Sequence, residues 1–192
     1  MSIDKNLSFG TTPSQTVGPY LHLGFDWLNT TELAGPGVAG ERIVIQGRLL
    51  DADRAPIPDG VIEIWQANAQ GAYAHAGQPT AADQSFSGFG RCSTDADGRF
   101  YFSTIKPGRV PAADGGWQAP HIAVNVFARG LLKQLVTRIY FPGDAHQDDW
   151  VLQQVPETRR ATLIAQPMHD QPTTFYWQIA LGGRHETVFF EI

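Results

Sequence analysis

What most constrains this chain is a repeating rhythm of short β-branched and aromatic runs, each closed off by glycine, proline, asparagine or aspartate. Apolar residues recur at every second position in these runs, which suits strands with one buried face because successive side chains point to opposite sides. RIVIQGRLL (42–50) is the first clear run, and DADRAPIPDG (51–60) reads as the turn before the next, VIEIWQA (61–67). Asp95-Ala96-Asp97-Gly98 predicts a hairpin turn entering Arg99-Phe100-Tyr101-Phe102, with Phe100 and Phe102 on one face. HIAVNVFA (121–128), QLVTRIYF (134–141), TFYWQIAL (174–181) and ETVFFEI (186–192) bring the total to at least seven strands. Only 147–165 departs from this pattern, and Pro156 interrupts it, leaving room for one short helix.

Strands that each carry one apolar face must bury those faces together, so the expected fold is all-β, a two-sheet antiparallel sandwich with little helix. A chain of 192 residues can bury one substantial core, and 42% hydrophobic content with 20 glycines and 13 prolines fits many strands joined by tight turns. Residues 41–192 are assigned to this domain. Residues 1–40 show no periodicity yet contain Phe9, Tyr20, Phe25 and Trp27, so an extended N-terminal arm pinned against another surface is expected.

The net charge of −5, with no lysine or arginine block, gives nothing to hold a phosphate backbone or an anionic membrane, so neither nucleic acid nor membrane is expected as a partner. The first ten residues lack a cationic start followed by an apolar run, and no stretch approaches the roughly 20 apolar residues of a membrane span, so a soluble cytoplasmic location is expected. The single cysteine, Cys92, excludes an intrachain disulfide and reads as a buried structural thiol. Asp95-x-Asp97-Gly98 begins like a calcium loop, but Lys106 stands where the bidentate glutamate belongs, so it is a turn. Gly88-Phe89-Gly90 lacks the third glycine of a dinucleotide site. His22, His75, His146, His169 and His185 show no ligand spacing, although His75 lies only two residues from Tyr73.

Four segments are more specific: TPSQTVGPY (12–20), EIWQANAQGAY (63–73), FSTIKPG (102–108) and APHIAVNVFARGLLKQLVTRIYFPGD (119–144). In this order and spacing they resemble the intradiol ring-cleaving dioxygenases, over nearly the whole chain from about residue 12 to ETVFFEI. TPSQTVGPY and PHIAVNVFARG look most like the α-type subunits of the family's protocatechuate-cleaving branch. The resemblance implies cleavage of a catechol by O2 at a non-haem ferric ion held by two tyrosinates and two histidines. Phenolate oxygens offset the high charge of ferric iron and imidazoles complete its sphere.

Against that pattern the chain is deficient. The family's catalytic chains carry His-x-His on one strand, which aims both rings to one face; here the run is His121-Ile122-Ala123. A ligating tyrosine is implied two residues after Gly108, and Val110 stands there; Tyr73 matches the other tyrosine. Gln118 occupies the position of an arginine that stabilises charge developing on the ring. Tyr73, Val110, His121 and Ala123 are therefore vestigial metal-site positions, and no catalytic residue and no bound metal are expected in this chain. Fe(III) would belong to a homologous iron-binding β subunit in a hetero-oligomer of α–β pairs, with protocatechuate and O2 meeting at the interface. By resemblance, Thr16, Gly18 and Pro19 reach over the partner's pocket and Arg129 faces its opening, where a guanidinium would pair with an aromatic carboxylate better than Lys133 would. Three alternatives stay open: a turn-rich arm and a solvated strand-end arginine without function, a self-sufficient intradiol enzyme using substitute ligands such as His75, and a non-catalytic binding or assembly module.

Overall fold

The computed structural model describes residues 15–16, 24, 26–74, 86–113 and 115–191. Among the described residues ten strands run in chain order: β1 Arg42–Leu50, β2 Val61–Gln66, β3 Phe89–Ser93, β4 Arg99–Ile105, β5 Val110–Pro111, β6 Trp117–Gln118, β7 His121–Phe127, β8 Leu135–Tyr140, β9 Gln166–Met168 and β10 Gln171–Ala180. One sheet has the order β4-β1-β10-β9, a second the order β3-β2-β7-β8, and β5 with β6 forms a separate short ribbon. The all-β sandwich expected from the alternating pattern is what forms.

The alternation is visible on β1, where Ile43, Ile45 and Leu49 are buried while Arg42 and Gln46 face solvent. Those residues meet Phe100 and Phe102 of β4, Ile62 and Ile64 of β2, Ile122, Val124 and Val126 of β7, and Trp177 and Ile179 of β10 in one core. Burying each such side chain contributes about 2 kcal/mol, so the period-two pattern alone goes far towards specifying which faces meet. Cys92 lies in this core, where burial pushes its thiol pKa up, in keeping with a structural role.

The structure departs from the sequence reading in several details. β1 and β10 pair in parallel, from Val44 opposite Thr174 to Leu50 opposite Ala180, within otherwise antiparallel sheets. The Asp95–Gly98 turn is tight, with Asp95 Oδ1 accepting from the N–H groups of Asp97 (2.9 Å) and Arg99 (2.8 Å), but it joins β3 to β4 in opposite sheets and is no hairpin. β3 was not anticipated because FGRCS lacks a β-branched run; the strand arises from its pairing with β2. Of ETVFFEI, the described residues 186–191 do not form a strand. The Thr187 N–H donates to Ala180 O (3.0 Å) in one sheet and the Phe190 N–H to Val136 O (2.7 Å) in the other, so the segment crosses between sheets and cannot follow either as a ladder.

Residues 30–33 do the same at the opposite edge, where Thr30 exchanges hydrogen bonds with Arg91 on β3 and the Leu33 N–H donates to Ser103 O on β4. Leu33 and Val38 are buried in this chain's own core. In place of one helix, 147–165 contains two single-turn helices, α1 Trp150–Gln153 and α2 Glu157–Arg160, with Pro156 at the cap between them. No helix among the described residues is long and apolar enough to cross a membrane.

Candidate functional site

Two loops bring together the positions that the resemblance marks as a former metal site. After β2 the chain turns at Asn68, whose Oδ1 accepts from the N–H groups of Gln70 (3.0 Å) and Ala72 (2.9 Å). The Asn68 carbonyl accepts from Gly71 within the loop and from Gly108 (2.9 Å) in the loop leading to β5. Backbone meets backbone here without room for side chains: a Cβ at Gly71, where φ is +80°, would lie 2.0 Å from Arg109 O, and one at Gly108 would lie 2.5 Å from Ala69 O. This clamp delivers Tyr73 and Val110 to the same place. The Tyr73 ring then stacks on Trp65, with centroids 6.1 Å apart and planes 3° from parallel.

The other two positions come from β7. His121 stands opposite Tyr140 and Ala123 opposite Arg138 in the β7–β8 register, while Val110 pairs with Gln118 in the β5–β6 ribbon. His121 Nδ1 lies 2.8 Å from Ala119 O, a group that only accepts, so Nδ1 carries the proton and Nε2 faces the Tyr73 hydroxyl at 3.5 Å. The strand start is held by Asp149, fully buried, whose Oδ2 accepts from the Ala119 N–H (3.0 Å) while Oδ1 caps α1 through the N–H groups of Val151 and Leu152. Tyr73, Val110, His121, Ala123 and Gln118 thus lie in one region of the fold.

The site's electrostatics disfavour added positive charge. Burial first and the nearby Arg138 guanidinium second lower the His121 pKa to about 4, against the smaller raising effects of the Ala119 carbonyl and Asp149. Burial raises the Tyr73 phenol, with Arg138 opposing, and raises Tyr140 in the same way. Arg138 Nη1 donates to Gln118 Oε1 (2.8 Å) and approaches the Tyr140 hydroxyl (3.4 Å).

A ferric ion does not fit these residues. It needs several anionic or imidazole donors around one point, whereas the four positions offer one neutral phenol and one imidazole, with a methyl and an isopropyl group at the other two and a guanidinium and the neutral Tyr140 phenol beside them. Among the described residues no group of three histidine, cysteine, aspartate or glutamate side chains could hold a metal. His75 lies outside the described residues.

Thr16 meets the residue after Arg129, far from this pocket. The Gly130 N–H donates to Thr16 Oγ1 (2.8 Å), and Arg129 Nε pairs with Asp59 Oδ2 while its side chain stays 61% exposed. The loop carrying Arg129 follows the far end of β7, roughly 20 Å from His121 at about 3.3 Å per residue. Gly18 and Pro19 lie outside the described residues.

Comparison with known proteins follows the same lines. A family model described as Dioxygenase (Dioxygenase_C) matches residues 26–183. The protocatechuate 3,4-dioxygenase alpha chain of Burkholderia cepacia is 38% identical over 94% of this chain and 97% of its own length. This chain belongs to the intradiol ring-cleaving dioxygenase family. The beta chain from Burkholderia cepacia is also related, at 43% identity over 77% of this chain and 67% of its own. Catechol 1,2-dioxygenase from Acinetobacter sp. ADP1, inhibited by bound mercury, shares the fold with a TM-score of 0.62 at 21% identity, covering 84% of this chain and 68% of that one. Within this dioxygenase fold, sequence reading missed Arg138, Tyr140 and Asp149. The strand alternation held a signal for the first two: Arg138 and Tyr140 share a face of β8, and antiparallel pairing with β7 sets that face against Ala123 and His121.

Proposed function

We propose that this chain is the α, non-iron-binding subunit of a protocatechuate 3,4-dioxygenase, paired with a homologous β subunit that holds Fe(III). In that reaction O2 adds to protocatechuate, the bond between the two hydroxylated ring carbons breaks, and both oxygen atoms end in the new carboxylates of 3-carboxy-cis,cis-muconate. The observation that carries this reading is one pocket in which Tyr73 and His121 are retained beside Val110 and Ala123, so that the family's ligand positions converge with two of them emptied of ligands. Relatedness to both an alpha and a beta chain of the same enzyme supports an α–β pair.

This chain's contribution is then to the walls of its partner's pocket, with 1–40 as an arm that reaches the partner although its 30–38 stretch is tied into this chain's own sandwich, and 41–192 as the rest of that sandwich. Trp27, 79% exposed, supports such a contact for the arm. Thr16, Gly18 and Pro19 line the partner's site, and Arg129 attracts the substrate carboxylate with the guanidinium nitrogens that Asp59 leaves available. Arg129 stands roughly 20 Å from His121, away from this chain's own site, which is compatible with a role at a neighbour's. A cytoplasmic location fits the single unpaired, buried cysteine.

The test is to purify the full chain alone and measure its iron content and visible absorbance, then co-express it with the β subunit. The expected result is no tyrosinate-to-iron absorbance alone and ring cleavage in the co-expressed complex. Stoichiometric iron in the lone chain would instead establish a self-sufficient enzyme. Failure of any catechol-cleaving partner to associate would leave an assembly module.

A further inference from the structure

The pocket has lost two ligands, but it has also gained a charge. Arg138 is the cross-strand neighbour of Ala123, so its side chain rises from the same face of the sheet, about 5 Å away at the Cβ atoms. Its guanidinium reaches Gln118 Oε1 at 2.8 Å, and Gln118 in turn pairs with Val110. Arg138 therefore bridges the two emptied ligand positions. Its other contact is the Tyr140 hydroxyl opposite His121, and no carboxylate among the described residues lies in ion-pair range of it. Asp149, which borders Tyr140, is the nearest acidic group and is occupied by three backbone N–H groups. A partly buried guanidinium with only neutral oxygen partners behaves as a resident cation, satisfied by dipoles that would otherwise face a metal.

We propose that Arg138 closes this pocket to metal ions by charge, so that restoring the missing ligands would not by itself restore metal binding. Arginine suits this role because its charge persists at every working pH and its Nη1 reaches both the glutamine oxygen and the Tyr140 hydroxyl. A multivalent cation placed among Tyr73, His121 and the two emptied positions would stand beside that fixed charge in a low-dielectric pocket, where repulsion is weakly screened. Gln118 is part of the same device, because an uncharged amide there accepts from Arg138 where a second arginine would repel it. The inference rests on the four pocket positions and not on the α–β pairing, so the two fail separately.

The experiment compares full-length Val110→Tyr/Ala123→His with the same double variant carrying Arg138→Gln. Each is incubated with ferric nitrilotriacetate and desalted. Iron per chain and tyrosinate-to-iron absorbance are then measured. At least tenfold more iron is expected once Arg138 is replaced, and Arg138→Lys in the same background should stay as empty as the parent. Equal loading with and without Arg138, or no loading in the triple variant, would overturn the proposal. Should the tyrosine substitution prevent folding, cobalt(II) affinity of Ala123→His against Ala123→His/Arg138→Gln reads the same effect, with at least tenfold tighter binding expected in the second and equal affinity refuting it.

Discussion

His121 makes the pocket's electrostatics measurable as stability. It is 4% exposed, donates from Nδ1 to Ala119 O, and sits near Arg138, Asp149, Tyr73 and Tyr140, so the folded chain resists protonating it until the pH reaches about 4. The unfolded chain protonates the same ring near pH 6.5. Because the folded value is the lower one, the penalty is absent above pH 6.5, grows as pH falls through the interval, and is complete below about 4. Between pH 7 and pH 4.5 the linkage removes about 2 kcal/mol of stability.

The comparison is urea unfolding of wild type and His121→Asn at both pH values, since the asparagine amide can still donate to Ala119 O. Carboxylate titration contributes equally to both proteins and cancels in the difference. Wild type should lose about 2 kcal/mol more than the variant on acidification. Equal losses would refute the assignment of a buried, neutral His121.

Three further expectations concern the supports of the site. Gly71→Ala should cost about 3 kcal/mol in urea unfolding, because its Cβ would lie 2.0 Å from Arg109 O at a positive φ, and the clamp between the two loops must open. Asp149→Ala should cost about 3 kcal/mol by the same assay, since it uncaps α1 and leaves the buried Ala119 N–H unsatisfied. Arg129→Ala should raise the α–β complex's KM for protocatechuate while its melting temperature stays nearly constant, as expected for a mostly exposed side chain; an unchanged KM would remove Arg129 from the substrate's path.

How much of this could be read from the chain varies by residue. The core faces of β1, β2, β4 and β7 followed from alternation, because side chains two positions apart in a strand share a face. Gly71-Ala72-Tyr73, Gly108 to Val110 and His121 to Ala123 were identifiable as one site through motif resemblance, and the structure brings them together. Arg138 was unremarkable within QLVTRIYF, since an alternating strand tolerates an arginine on its outer face and gives no sign of what stands opposite. The crossing of 186–190 between sheets was equally hidden: ETVFFEI alternates like a strand, and only the positions of Ala180 and Val136 show that its hydrogen bonds go to different sheets.

The sequence by itself determined the all-β class, the interior of the sandwich, the family, and the absence of ligand side chains at Val110 and Ala123. These depend on residue identity and on spacing along one strand or loop, which the chain states directly. Only the tertiary structure decided the parallel pairing of β1 with β10, the backbone clamp at Gly71 and Gly108, the joining of Thr16 to the Arg129 loop, and the placing of Arg138 among Gln118, Tyr140 and Ala123. Each depends on which distant segments pair and in what register, and a one-residue slip would turn Arg138 to the opposite face.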